Sequence, residues 1–238
     1  MSERKNGISV RRTAQEVKRY KTITKILPIV ISIMLGALML LYVSAVIYDR
    51  SGRFTVSVNP TDAKYALTLS DYRDFKQQNA VLASDAVLNA TNISGQKIYE
   101  NPTIGMQDGS NNGENYLEHT FYCKNVGTET FSFTYKLVYN NVVNHLDEVI
   151  RVRLYVNGTP TTYAKTRSDG LGKETYYCDQ EFYGNNIVAD GIIKNVKPGD
   201  ITKFTVVVWI EGDDLDCDDS KINGEIKLDM IMSSIVPE

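Results

Sequence analysis

From Ile26 to Tyr48 the chain reads ILPIVISIMLGALMLLYVSAVIY, 23 consecutive residues without a formal charge. At about 1.5 Å rise per residue such a run makes a helix of roughly 35 Å, long enough to cross the hydrocarbon core of a bilayer. That run divides the chain into a polar tail (residues 1–25), a membrane helix (26–48) and a remainder (49–238) of a size that buries one sizeable core.

Charge is sorted across this division. The tail carries Arg4, Lys5, Arg11, Arg12, Lys18, Arg19, Lys21 and Lys25 against Glu3 and Glu16, a net +6, so that of the overall −3 the rest of the chain holds −9. Cytoplasmic flanks of membrane segments collect Lys and Arg, which orients the amino terminus inward and residues 49–238 outward at the cell surface. An acidic outer domain is a poor partner for nucleic acid. The competing reading is a cleaved signal peptide, because Val43-Ser44-Ala45 offers small residues where a signal peptidase reads. An h-region is usually about 7–15 residues, shorter than this run, which favours a retained anchor.

Beyond the anchor the dominant signal is period-2 alternation. Phe54, Val56 and Val58 alternate with Thr55 and Ser57, and Lys64–Leu69 reads as a second short strand. Ser70 is placed to cap a short helix over Asp71–Gln78, and residues 79–115 read as loops with one or two short strands. From Tyr116 the rows lengthen: Leu117, His119, Phe121 and Cys123; then Phe131, Phe133, Tyr135, Leu137 and Tyr139; then Ile150, Val152, Leu154 and Val156 opposite Arg151, Arg153 and Tyr155. Asn157-Gly158 supplies a tight hairpin turn, Lys197-Pro198-Gly199-Asp200 another, and Asn223-Gly224 precedes a last strand with Ile226, Leu228, Met230 and Met232 inward. Short alternating strands without helical patterns between them predict a mainly β fold, an antiparallel jelly-roll-like sandwich of seven to nine strands. In it one face of each sheet is packed and the other wet.

Catalytic signatures are missing: the chain has no HExxH, no GxSxG and no glycine-rich phosphate loop. The expectation is therefore a non-enzymatic protein, with His119 as a satisfied core histidine. The sharpest local feature is WIEGDDLDCDD (Trp209–Asp219), six carboxylates in nine positions. Crowded carboxylates repel one another unless neutralised, and calcium takes 6–8 oxygens, so Glu211, Asp213, Asp214, Asp216 and Asp218 form a candidate Ca²⁺ loop, although it lacks EF-hand spacing. The alternative is a solvated acidic loop tied down by a disulfide through Cys217. Three cysteines, Cys123, Cys178 and Cys217, lie on the expected outer side, where disulfides persist. Cys178–Cys217 is the expected pair, being the closer in sequence, with Cys123–Cys178 as the alternative. Tyr155 and Tyr163 are candidates for an adhesive or sugar-stacking surface.

Tyr116–Asn125 (YLEHTFYCKN), the KPGD turn, a strand ending VVVWIEGDD and a final NGEIKLDM strand, behind a basic tail and one membrane segment, carry a resemblance. The chain resembles uncharacterised membrane-anchored surface proteins of Gram-positive bacteria, and it is more distantly similar to the TasA/camelysin-like extracellular sandwiches that build matrix fibres. The resemblance spans Tyr116 to Met232 and implies a cell-surface sandwich, not an activity. The resulting expectation is a single-pass membrane protein whose outer domain contacts other surface proteins or envelope polymers. The alternatives are a Ca²⁺-dependent ligand-binding module and a matrix subunit released by cleavage after Ala45.

Overall fold

The computed structural model describes residues 10–50, 53–59 and 61–236. The first nine residues of the basic tail, Pro60 and Pro237-Glu238 lie outside the described residues, as do the side chains of Ser44 and Ala45 at the expected processing site. The chain forms two compact units, Met1–Asp49 and Arg50–Glu238.

The first unit is built on one helix, α1 (Val10–Arg50), which runs on through Pro28. Within it Lys25–Val43 is long and apolar enough to cross a membrane, and none of that window is buried. Length and composition fit a membrane span and a signal sequence alike.

The second unit is mainly β. Among the described residues its strands are β1 (Phe54–Val58), β2 (Leu67–Ser70), β3 (Val81–Ala83), β4 (Gly109–Ser110), β5 (Tyr116–Asn125), β6 (Phe131–Val143), β7 (Ile150–Val156), β8 (Thr159–Ala164), β9 (Gln180–Glu181), β10 (Ile187–Val196), β11 (Ile201–Ile210) and β12 (Glu225–Ile235), with one α-helical turn, α2 (Gln96–Tyr99), and three short 3₁₀ turns. One sheet has the order β10-β6-β12-β1-β3; the other runs β2-β5-β11-β7-β8-β9, with β4 beside β5. The sheets pack face to face. Phe54, Phe133, Leu137 and Met230 from the first sheet share a core with Phe121, Val152, Leu154, Phe204 and Val206 from the second. The Tyr135 and Phe204 rings meet edge to face at 5.5 Å, and Phe121 stacks on Phe204 at 5.4 Å.

The hairpin signals are realised in the backbone. Asn157 and Gly158 both adopt positive φ (50° and 87°), as the tight turn between β7 and β8 requires. Gly199 takes φ 88° in the turn before β11. Twelve strands replace the expected seven to nine, because β4 and β9 are two residues long and β3 is three, too short to show a period. Pairing is mostly antiparallel, but β1 runs parallel to β12 and β8 parallel to β9. No hairpin joins β1 to β12, so chain connectivity does not impose an antiparallel direction on that pair.

Residues 71–78 are turns and bends, not the expected helix. Ser70 Oγ accepts from the Tyr72 amide and Asp74 Oδ1 from the Lys76 amide, local side-chain bonds that compete with helical ones. The loop after β5 is held equally tightly. The Val126 and Gly127 amides both donate to the Ala66 carbonyl, and a Cβ on Gly127 would lie 2.1 Å from the Lys64 carbonyl oxygen. Since that neighbour is backbone, Gly127→Ala is expected to destabilise the domain by about 1–3 kcal/mol. Thermal melts check this, and an unchanged melting temperature would contradict the close approach.

Candidate functional site

Strand β11 is buried on both faces. Phe204, Val206 and Val208 point into the sandwich, while Thr205, Val207 and Trp209 lie on the opposite face, which is also covered. The cover is a layer of non-strand chain: Ile93, Ile98, Ile104 and Tyr177 pack on Val207 and Trp209 together with Tyr116 and Tyr155. The expectation of a wet outer face therefore fails for this sheet. Its polar outer row is buried and internally paired. Thr120 and Thr205 hydroxyls meet at 2.8 Å, Glu118 Oε1 accepts from the Gly105 amide at 2.7 Å, and Arg153 lies 3.9 Å from the Tyr99 ring centroid while donating to Thr162 and Tyr155.

Arg151 stands at the centre of this layer, 0% exposed. Its guanidinium donates to the Ile150 carbonyl, to the Tyr176 carbonyl (3.0 Å) and to Asp214 Oδ2 (2.7 Å). Asp214 Oδ1 accepts from the Asp216 amide at 2.9 Å, and Asp216 Oδ1 from the Ser168 hydroxyl at 2.8 Å. Glu174 Oε2 lies 3.7 Å from the same guanidinium, beyond hydrogen-bond reach. Burial first, and then the Asp214 charge, pushes the Glu174 carboxyl above the usual carboxylate range. Arg167, nearby, is engaged with Asp169 and Thr175.

The structure disperses the expected Ca²⁺ loop. Glu211 is buried and accepts from Trp209 Nε1 (2.8 Å), the Gly95 amide and the Asp213 amide. Burial raises its pKa above the ordinary carboxylate value, partly offset by those donors. Asp213 accepts from the Ser94 hydroxyl at 2.6 Å, and Asp218 caps a short 3₁₀ turn by accepting from the Ser220 amide. Only Asp214 and Asp216 of the five come together, and their third partner is Glu174, with one carboxylate oxygen from each lying within 4.8 Å of the others. Glu174 escapes sequence reasoning because it sits in a loop without periodicity. Arg151 had a signal: the unbroken apolar run Val206–Ile210 on the neighbouring strand marks a sheet buried on both faces, and Arg151 pairs with Trp209 across it.

The expected disulfide is corrected. Cys123, Cys178 and Cys217 are all free. Cys123 is buried in the sandwich core, which pushes its thiol pKa up, and Cys178 Sγ donates to the Gln180 carbonyl. Cys217 Sγ faces the Asn92 carboxamide instead, at 3.2 Å, on the edge of a separate groove. His119 is a core residue as expected, with Nδ1 3.1 Å from the Ser110 hydroxyl, but it is not fully satisfied: Nε2, 2.9 Å from Asp71 Oδ1, makes no hydrogen bond there, and both atoms are buried. Tyr155 and Tyr163 do not form a surface: Tyr155 packs in the outer layer and Tyr163 against the sandwich core.

The groove has a volume of about 700 Å³ and opens at one end of the sandwich, where β11 leaves and β12 enters. Its floor is Leu117, Leu146, Ile150 and Val208; its rim carries Asn89, Asn92, Asn115, Asn223 and Asp218. Leu88, 67% exposed, stands on its lip.

No protein-family model matches the chain, and no curated protein matches it. Among solved structures, β-glucosidase from Kluyveromyces marxianus in complex with glucose aligns at a TM-score of 0.25 and 11% identity, over 75% of this chain and 17% of that one. The selenomethionine form of the same enzyme aligns at 0.23 and 12%, over 73% and 17%. The chain spans about a sixth of that enzyme's length, and likeness at this level carries no argument about activity.

Proposed function

We propose that this chain is a single-pass membrane-anchored surface protein, amino terminus inside, whose β-sandwich is a non-enzymatic contact module for other surface proteins or envelope polymers. The carrying observation is the uncovered apolar helix over Lys25–Val43 followed by a separately folded β unit. The +6 tail and −9 remainder support the orientation. The Tyr116–Met232 resemblance to Gram-positive surface sandwiches agrees with it. The groove supports a contact role: its volume lies in the ligand-pocket range, with an apolar floor and carboxamide rim suited to a neutral, partly polar chain.

Protease added to intact cells is expected to remove the β domain, and complete protection overturns the orientation. Intact mass of the mature protein separates the anchor from a subunit released after Ala45. Crosslinking on intact cells is expected to capture an envelope component in a manner that Leu88→Arg reduces several-fold, because that side chain is exposed on the groove and its replacement leaves the core untouched. Capture unaffected by Leu88→Arg places the contact on another face.

A further inference from the structure

We propose that strand β10 is an interface through which two copies of this chain associate, edge to edge and antiparallel about a two-fold axis at Ile192. The strand bounds the five-stranded sheet and has ten residues, whereas the other strands at sheet edges among the described residues, β2, β3, β4 and β9, have two to four. Edge strands offer unpaired N–H and C=O groups to any further strand, and extreme shortness is a common protection. The short edges have that protection; β10 does not.

The open part of β10 is delimited at both ends. Before it, the Tyr183 amide donates to the Val188 carbonyl and Gly184 and Ile187 exchange backbone bonds, so the outer edge is occupied there. After it, Asn195 takes φ 56° in the irregularity between Ile193 and Val196, which bends the strand. Because the Val188 carbonyl faces away from β6, the alternation of strand bonding turns the backbone groups of Asp190, Ile192 and Lys194 outward as well. Among the described residues, no backbone hydrogen bond outside the β6 ladder reaches residues 190–194.

Charge complementarity selects a second copy as the occupant. Asp190, Ile192 and Lys194 are all exposed, Ile192 at 45%. In an antiparallel pair centred on Ile192, each copy's Asp190 stands opposite the other's Lys194, and the two Ile192 side chains cover each other. The stretch is therefore its own complement, as a two-fold contact requires. Against an unrelated strand Lys194 is a guard, the usual role of lysine on an edge; against its own copy it meets a carboxylate. Asp190 lies 3.6 Å from Lys136 on β6, a long ion-pair distance, and a carboxylate has acceptor sites for a second cation. Strand β10 lines no part of the groove, so this surface is separate from it.

The test is disulfide trapping in the full-length chain in detergent micelles, on a Cys178→Ser/Cys217→Ser background that removes the two half-buried thiols and keeps the buried Cys123. Ile192→Cys sets the new thiols across the two-fold axis, where a hydrogen-bonded antiparallel pair has Cα atoms about 5.5 Å apart, within disulfide range. Mild oxidation is expected to give at least about five times as much covalent dimer as Leu215→Cys, a position 84% exposed and outside β10. Adding Lys194→Asp to the Ile192→Cys chain should lower that yield severalfold, because it sets carboxylate against carboxylate, and adding Asp190→Lys as well should restore it. A yield at residue 192 no higher than at residue 215 overturns the proposal. So does a yield that Lys194→Asp leaves unaltered or that the double reversal fails to raise, since the two copies would then not meet in this register.

Discussion

Arg151→Ala is expected to cost the β domain about 3–5 kcal/mol of stability, the range for removing one partner of a buried ion pair. Its guanidinium is fully enclosed, holds Asp214 at 2.7 Å and is the only ion-pair partner of Glu174 among the described residues. Alanine leaves both carboxylates buried without compensation and leaves the Tyr176 carbonyl without its donor. For a domain of this size the loss corresponds to roughly 6–20 °C in melting temperature. The double variant Arg151→Met/Asp214→Leu is expected to recover much of the loss, because apolar replacement of a whole buried pair is far less costly than orphaning half of it. Denaturant unfolding of both variants checks this. A single-variant loss below about 1 kcal/mol would mean that water reaches the carboxylates and that the outer layer is not packed as described.

The second large effect belongs to Glu211. Glu211→Ala orphans Trp209 Nε1–H and the Gly95 and Asp213 amides, the first two of them deep in the layer. At about 1–3 kcal/mol for each buried unsatisfied donor, a combined loss of roughly 3–5 kcal/mol follows. Glu211→Gln keeps one acceptor oxygen and should cost less. The pH dependence has a definite sign. Burial raises the folded-state pKa of Glu211 above its ordinary value near 4.5, so the folded chain holds this proton more tightly than the unfolded chain. The associated stability is fully present below the unfolded value and is lost as pH rises through the folded one. Glu174 and Glu118, also raised chiefly by burial, act in the same direction. Asp74, Asp169 and Asp218 are lowered by their hydrogen bonds, so their contribution is lost only as pH falls below the ordinary value near 3.8. Urea unfolding should therefore show these buried glutamates favouring pH 5 over pH 7, and Glu211→Gln should flatten that slope. An unaltered slope would show that Glu211 is not the titrating group.

The long strands were legible because each carries four or five alternating apolar residues: the Phe131–Tyr139 row and the Phe204–Ile210 row line the sandwich core as their period predicts. The Asn157-Gly158 turn was equally readable, since its backbone demand is local. What the pattern does not carry is the second cover over the β11 sheet. Period-2 alternation assigns Arg151, Glu118 and Thr205 to solvent, whereas a loop layer drawn from residues 93–105 and 174–177 shuts them in. Burial of a polar residue depends on what lies above it, a tertiary fact with no local signature. For the same reason the acidic loop was visible as a composition but not as a geometry. Its carboxylates separate toward four different sets of donors, and the one that joins Asp214 and Asp216 comes from a distant loop.

The parallel pairing of β1 with β12 has a mechanical consequence. Phe54 sits opposite Leu228 and Val58 opposite Met232, so the domain's first strand starts at one end of the sheet and its last strand finishes at the other. Tension applied between Phe54 and Ile235 would load all five register pairs in shear at once, together with the β1–β3 contacts on the other side, instead of unzipping them one by one. Forced unfolding is governed by the unfolding rate and not by equilibrium stability. A pulled domain of this topology is expected to hold at forces its melting temperature alone would not suggest.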